Sequence, residues 1–147
     1  MPITVLQGDI FTSTAQTLTC PVNTQGIMGA GLAKAFSQKY PDLLPLYQKR
    51  CKDRSLTVVK PTTVPLTPDK QCLLWATKSF WQNPSRLPWI RDALPVVIAL
   101  IQAGIITSLA LPAIGCGLGE LRFENVLPLL MTLDNLSIPI EIYEPKI

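Results

Sequence analysis

The sequence contains no histidine among its 147 residues. This absence excludes a histidine general base, the Ser-His and Cys-His nucleophile pairs, and the commonest metal ligand. Any chemistry must therefore use a carboxylate, a lysine, an activated water or main-chain dipoles.

Charge is also scarce. Charged residues make up 16% of the chain and hydrophobic residues 48%, which predicts a compact fold and excludes a disordered chain. The net charge is +3, and the sequence has no run of lysines or arginines. We therefore do not expect the chain to hold duplex DNA by charge alone. A nucleic-acid substrate that is contacted at a single nucleotide stays open as an alternative.

Cysteine pairs and long apolar runs are missing too. Cys20, Cys51, Cys72 and Cys116 lie far apart without CxxC spacing, so the sequence predicts neither a zinc site nor a disulfide framework. No apolar run is long enough to span a membrane, and the N-terminus does not resemble a signal peptide. We expect one domain over residues 1–147, monomeric and cytoplasmic, with no membrane contact, metal or cofactor.

Strand-like apolar segments alternate with helix-like ones along the chain. Strands are predicted at residues 3–6, 18–22, 57–59, 72–77, 108–114 and 138–143, and helices at residues 32–40, 43–51, 90–103 and 123–133. The connections are too long for hairpins, so the pattern indicates an α/β sandwich with a largely parallel sheet. Pro95 is expected to kink or divide the third helix.

A glycine-rich loop follows the second predicted strand. Gly26, Gly29 and Gly31 precede a helix-like segment. Glycine leaves the backbone bare for a ligand, and the N–H groups at a helix N-terminus suit a phosphate. A tight turn without a ligand is the alternative interpretation.

A second glycine loop follows the strand predicted at residues 108–114. Gly115, Gly117 and Gly119 alternate with other residues there, and two such loops facing one another suit a diphosphate. We interpret Cys116, between two of these glycines, as a small buried residue, because no histidine is present to activate its thiolate.

Three polar residues lie at or near the ends of predicted strands. Asp9 can accept a hydrogen bond from an exocyclic amine, or it can cap its own turn. Asn23 can donate to a ribose hydroxyl, or it can hold the first glycine loop together. Tyr143 can form a wall for an adenine, or it can be an ordinary sheet tyrosine.

Lys78 follows the strand predicted at residues 72–77. It is either a solvated surface charge or an amine in apolar surroundings, where a neutral amine can act as a nucleophile or a base. Phe80 and Trp81, which follow it, and Trp89 are either core residues or a lid over a nucleobase.

Residues 7–10, 23–33, 77–78, 111–119 and 143–145 resemble the macrodomain family in order and spacing. Within the family, the resemblance is to the branch of DarG-type DNA ADP-ribosyl glycohydrolases and terminal ADP-ribose glycohydrolases. It implies a three-layer α/β/α sandwich with a mixed, largely parallel central sheet, and an ADP-ribose pocket.

The resemblance also implies roles for individual residues. Lys78 and Asn23 would be catalytic, with Lys78 acting at the anomeric carbon of the distal ribose. The residues implied to bind ADP-ribose are Asp9, Ile10, Asn23, Thr24, Gly26, Met28, Gly29, Gly31, Leu32, Thr77, Gly115, Cys116, Gly117, Leu118, Gly119 and Tyr143.

Gly119 stands where the protein-directed member of this branch has an aspartate, whereas the DNA-directed members have glycine. The resemblance therefore implies removal of ADP-ribose from thymidine in single-stranded DNA, opposite in function to a DarT-like ADP-ribosyltransferase. Three alternatives stay open: an ADP-ribose reader without turnover, an enzyme acting on ADP-ribosylated protein or on ADP-ribose 1″-phosphate, and an α/β domain that binds no nucleotide.

Overall fold

A computed structural model of the protein describes residues 3–145. Residues 1–2 and 146–147, the ends of the single domain predicted over residues 1–147, lie outside the described residues. The described strands are β1 (Ile3–Leu6), β2 (Thr17–Asn23), β3 (Thr62–Thr67), β4 (Lys70–Lys78), β5 (Leu109–Leu111) and β6 (Ile140–Tyr143). They form one sheet in the order β1-β6-β5-β2-β4-β3.

All neighbouring strands are parallel except β3 and β4, which pair antiparallel at one edge. The mixed, largely parallel sheet is therefore confirmed. Because the carboxyl ends of β1, β2, β4, β5 and β6 share one side of the sheet, their loops meet there, where ligands bind in such folds.

Helices cover both faces of the sheet. The described helices are α1 (Gly31–Lys39), α2 (Leu43–Lys52), α3 (Leu87–Gln102) and α4 (Phe123–Leu130), with 3₁₀ turns at Ile10–Thr12 and Met131–Asn135. None of these described helices is both long and apolar enough to cross a bilayer.

The core consists of two apolar clusters, one on each face of the sheet. Along β4, Leu73 and Trp75 pack with residues of α3 and α4, whereas Leu74 and Ala76 pack with residues of α1 and α2. Both sets are fully buried, because successive side chains of a strand point to opposite faces. The predicted three-layer α/β/α sandwich is confirmed.

The structure corrects several predicted elements. Residues 57–59 form no strand; Thr57 makes an isolated bridge to Lys60 within a turn. The proline-containing segment at residues 61–70, which the sequence predicts as a loop or an edge segment, supplies the antiparallel edge strand β3, where a residue without an N–H is tolerated. Pro95 is exposed and does not divide α3. β5 ends at Leu111, and residues 112–114 leave the sheet toward the second glycine loop.

We predict that Ile142→Ala lowers the free energy of unfolding by about 2–5 kcal/mol, because a large buried side chain leaves a cavity. Ile142 is 0% exposed and Ile105 is 46% exposed. The same substitution at Ile105 is the matched control and should cost less than about 1 kcal/mol. Urea unfolding followed by tryptophan fluorescence measures both, and equal losses would contradict this assignment of the core.

Candidate functional site

Three loops meet at the carboxyl ends of adjacent strands. In the sheet, β2 lies between β5 and β4. The first glycine loop follows β2, Lys78 ends β4, and the second glycine loop comes after β5. The strand order therefore brings together the two glycine loops and the lysine, which are distant in sequence.

Lys78 connects all three loops. Its Nζ donates hydrogen bonds to the carbonyl oxygens of Leu118, at 2.7 Å, and Trp81, at 3.2 Å. Its own carbonyl oxygen accepts from the N–H of Thr24 at 3.1 Å. The amine thus lies where the loops after β2, β4 and β5 meet, which is the position expected of a residue that acts on a ligand held between them.

The surroundings of Lys78 are more open than an apolar strand end suggests. Lys78 is half-buried, and Phe80 and Trp81 are each 54% exposed. These two aromatic residues are therefore not part of the core. Trp89 is half-buried, with the guanidinium of Arg86 at 5.2 Å from its ring centroid.

Asn23 shapes the first glycine loop. Its Oδ1 accepts from the N–H of Gln25 at 2.9 Å, and its Nδ2 donates to the carbonyl oxygen of Ile27 at 2.9 Å. The hydroxyl of Tyr47, on α2, lies 2.6 Å from the carbonyl oxygen of Asn23 and 2.8 Å from its Oδ1. Asn23 therefore holds the loop in place, and its role at a ribose stays a prediction.

Tyr47 remains a hydrogen-bond donor at neutral pH. Burial, and after it the nearby Cys51, raise the pKa of the Tyr47 phenol well above its ordinary range. On the same helix, Gln48 donates through Nε2 to the carbonyl oxygen of Gly26 at 3.1 Å. The shape of the first glycine loop is thus set by side chains from α2.

Both glycine loops carry main-chain donors without acceptors. Within residues 3–145, no group accepts from the N–H of Met28, Gly29 or Ala30, which lead into α1. In the same part of the chain, the N–H groups of residues 117–119 also lack acceptors. Ala30 caps α1 without a side-chain hydrogen bond. Unsatisfied N–H groups at a helix N-terminus and in a facing loop suit an anionic ligand such as a diphosphate.

The second glycine loop is closed by its own hydrogen bonds. Gly115 has a φ of +74° and accepts from the N–H of Leu121 at 2.8 Å. The carbonyl oxygen of Gly119 accepts from the N–H of Ser85 at 2.9 Å. A Cβ at position 119 would overlap the Gly115 carbonyl and Ser85 Oγ. Only glycine fits position 119 in this arrangement.

Cys116 is not activated by its surroundings. It is half-buried, and burial raises its pKa to about 11. Its Sγ lies 3.5 Å from the carbonyl oxygen of Ile114. At neutral pH the side chain is therefore a thiol, as expected without a histidine to activate it, but it is only half-buried rather than the buried residue that the sequence predicted.

Leu118 lies between the two glycine loops. Its Cδ1 is 3.3 Å from the position that a Cβ would occupy at Gly31. The Leu118 side chain is nevertheless 63% exposed, so little packing holds it there.

The residues expected around an adenine are divided between core and surface. Ile10 and Tyr143 are buried in the same apolar cluster as Met28. Asp9 is exposed, and its Oδ1 accepts from the N–H of Phe11 at 2.9 Å, so it caps its own turn. Contact of Asp9 with an adenine amine stays a prediction.

The remaining predicted residues lie beside these loops. Thr24 donates through Oγ1 to the carbonyl oxygen of Ser79 at 2.9 Å. Thr77 is buried in β4, and Leu32 is half-buried in the first turn of α1. A separate polar cleft, lined by Gln16 and residues 63–65 and 67–71, lies at the amino ends of β2 and β4 and contains none of the predicted ligand residues.

Sequence reasoning missed the residues that support the site. Gln25 accepts through Oε1 from the N–H of Trp81 at 2.8 Å, Tyr47 contacts Asn23, and Ser85 lies against Gly119. Tyr47 offered one signal: a tyrosine on the apolar face of a helix needs a partner for its hydroxyl. Gln25 lies in the stretch that resembles the family but was given no role of its own, and nothing in the sequence near Ser85 indicated one.

Comparison with known sequences gives a consistent result. A family model described as "Macro domain" matches residues 20–130. The chain is 35% identical to the DNA ADP-ribosyl transferase-DNA ADP-ribosyl glycohydrolase fusion protein of Thermosipho africanus, with 97% of this chain and 42% of that protein aligned. It is 35% identical to the DNA ADP-ribosyl glycohydrolase of Mycobacterium tuberculosis, with 84% of this chain and 36% of that protein aligned. The chain thus spans less than half the length of each relative.

Solved structures of proteins from the same two organisms match the fold. The macrodomain of M. tuberculosis DarG has a TM-score of 0.91 at 32% identity, with 98% of each chain covered. The structure of T. africanus DarTG in complex with ADP-ribose has a TM-score of 0.91 at 37% identity, covering 97% of this chain and 41% of that one. The family model covers most of the chain, and both relatives exceed 30% identity over most of it. The chain therefore belongs to the macro domain family.

Proposed function

We propose that this macrodomain removes ADP-ribose from a nucleobase, expected to be thymine, in single-stranded DNA by hydrolysing the bond between the anomeric carbon of the distal ribose and the base. The observation that carries the proposal is the position of Lys78 Nζ, 2.7 Å from the carbonyl oxygen of Leu118, between two loops with unsatisfied N–H groups. The names of the T. africanus and M. tuberculosis relatives, both DNA ADP-ribosyl glycohydrolases, support it.

The diphosphate of ADP-ribose binds between the glycine loops in this proposal. The N–H groups of residues 28–30, with the N-terminus of α1, contact it from one side, and those of residues 117–119 contact it from the other. Leu118 moves out of the slot. The distal ribose then lies next to Lys78 and Asn23, and the adenine lies toward Asp9, Ile10 and Tyr143.

Lys78 acts as the nucleophile. To react, Nζ leaves at least one of its two carbonyl acceptors and passes its ammonium proton to water, which frees the lone pair of the amine. It adds to the anomeric carbon while the bond to the base nitrogen breaks and the electron pair leaves with that nitrogen. The proton released from Nζ is balanced by the proton that the base takes up. Water then cleaves the lysine–ribose adduct, which regenerates the amine and releases ADP-ribose.

Gly119 favours a nucleobase substrate over an ADP-ribosylated protein. An aspartate at this position, as in the protein-directed branch, requires a Cβ that would overlap the Gly115 carbonyl and Ser85 Oγ. This chain cannot hold such a carboxylate without rearranging the second glycine loop. Ester cleavage on a protein therefore has less support from the site than cleavage on DNA.

The substrate implies a partner activity. A DNA ADP-ribosyl transferase must supply ADP-ribosylated DNA, and the T. africanus relative is named as a fusion of such a transferase with the glycohydrolase. We propose that a transferase of the DarT type acts upstream of this macrodomain.

A panel of substrates tests the proposed function. We expect release of ADP-ribose from a single-stranded oligonucleotide modified on thymidine, and little or none from protein modified on glutamate or from ADP-ribose 1″-phosphate. Because the proposed reaction uses an amine, release should persist in EDTA. Chromatography with mass detection measures the product. Tight ADP-ribose binding by calorimetry with no release from any substrate would instead indicate a reader.

Lys78→Ala should lower kcat for release by at least roughly 100-fold, because the nucleophile is lost. Lys78→Arg should be similarly inactive although it keeps the charge. Lys60→Ala, which removes an exposed lysine from the turn before β3, is the matched control. Calorimetry with ADP-ribose tests whether the pocket of each variant is intact. If Lys78→Ala releases ADP-ribose at the parental rate, the assigned mechanism is wrong.

Gly119→Ala should lower the melting temperature by roughly 3–10 °C, because the added methyl group overlaps atoms on both sides. We also expect it to weaken ADP-ribose binding by displacing the N–H groups of the loop. Gly117→Ala adds the same methyl group to the same loop with nothing within 4 Å, so its melting temperature should stay near the parental value. Thermal scans compare the two, and equal shifts would contradict the steric argument.

A further inference from the structure

Exposed apolar side chains cluster around Lys78. Within residues 3–145, seven large apolar residues are exposed. Four of them lie on the three loops that meet at the lysine: Ile27 is 44% exposed, Phe80 and Trp81 are each 54% exposed, and Leu118 is 63% exposed. Apolar side chains on a protein surface are normally scattered, and a cluster beside a site marks a binding surface.

Hydrogen bonds hold the loop that carries Phe80 and Trp81. The carbonyl oxygen of Ser79 accepts from Thr24 Oγ1 at 2.9 Å, and the N–H of Trp81 donates to Gln25 Oε1 at 2.8 Å. The carbonyl oxygen of Trp81 accepts from Lys78 Nζ at 3.2 Å. The backbone on both sides of the two aromatic residues is thus fixed to the site while their rings face solvent. A surface fixed in advance loses little freedom when a ligand binds.

The charges around these rings suit a polyanion. Residues 10–41 and 70–91 contain no aspartate or glutamate. These ranges contribute the first glycine loop, Lys78, the aromatic loop and Arg86, so the exposed acids beside the site are Asp9, at its adenine end, and Glu120. A few basic groups with few acids near them, next to exposed aromatic rings, are typical of surfaces that bind single-stranded nucleic acid by stacking. A duplex, whose bases are not free to stack on the rings, would need a denser positive charge.

We propose that Phe80 and Trp81 stack on the bases that flank the modified nucleotide in single-stranded DNA. This inference rests on the proposed function, because the strand is placed by its ADP-ribose in the slot beside Lys78. The rings then select a nucleotide within a strand over an isolated nucleoside. Stacking is the same in the ground state and the transition state, so it acts mainly on KM.

The test compares two substrates: an oligonucleotide with unmodified nucleotides on both sides of one ADP-ribosylated thymidine, and ADP-ribosylated thymidine alone. For Phe80→Ala/Trp81→Ala, the ratio of kcat/KM for the oligonucleotide to kcat/KM for the nucleoside should fall by roughly 10- to 100-fold, through KM. Val59→Ala/Ile105→Ala, which removes two exposed apolar side chains outside the cluster, should keep the parental ratio.

Phe80→Tyr/Trp81→Phe keeps two rings and should retain most of the parental ratio, which distinguishes stacking from disturbance of the loop. The affinity for an unmodified single strand, measured by fluorescence anisotropy, should weaken in the alanine variant in the same proportion. The inference is overturned if the parental protein hydrolyses the oligonucleotide but the alanine variant has the parental ratio of the two kcat/KM values and the parental affinity for the single strand. It is equally overturned if the alanine variant changes only self-association in size-exclusion chromatography.

The outcome separates the two proposals. If the parental protein releases no ADP-ribose from either substrate, the proposed function fails. The anisotropy measurement then tests the stacking surface independently. Binding of the single strand by the parental protein that the alanine variant loses supports the surface, and equal binding by both proteins overturns it.

Discussion

The site depends on the way Lys78 joins three loops. The carbonyl oxygen of this residue holds the first glycine loop through Thr24, and its amine holds the second through the carbonyl oxygen of Leu118. Both contacts require β2 to lie between β4 and β5. A charged donor with main-chain acceptors keeps the loops together without occupying their N–H groups. The same amine is the group proposed to react, so the interaction that closes the site must open for catalysis.

The glycine loops have main-chain N–H groups without an acceptor in the described part of the chain, and these groups are available to a ligand. Main-chain N–H groups that lie away from water are usually paired within the protein, whereas exposed ones are free to take an outside acceptor. Here, within the described part of the chain, those of residues 28–30 and 117–119 have no acceptor. Hydrogen bonds from the surroundings hold this arrangement: Tyr47 fixes Asn23 from α2, and Ser85 fixes Gly119 from the loop before α3. Such local exceptions to good pairing are expected where a protein binds a ligand.

Elements with strong periodicity were predicted well, and short or polar ones were not. β4 is buried on both faces, and its continuous apolar run predicted it to within two residues at each end. Residues 57–59 are all β-branched, as is common in strands. In the described part of the chain they pair with no strand, and they form a turn instead. The rings of Phe80 and Trp81 belong to residue types that are usually buried, yet hydrogen bonds to Gln25 and Lys78 fix their loop with both rings outward. Tertiary contacts overrode propensity in both places.

The amino-acid sequence alone determined the chemistry that is available: without histidine, lysine is a main candidate nucleophile, and two glycine loops offer bare backbone to an anion. It also determined the α/β layering, because side-chain periodicity is a local property. Only the tertiary structure decided which groups meet. Lys78 and Leu118 are 40 residues apart, and their contact depends on the order of strands in the sheet. That order follows from how two apolar clusters pack on opposite faces, and no short stretch of sequence contains that information.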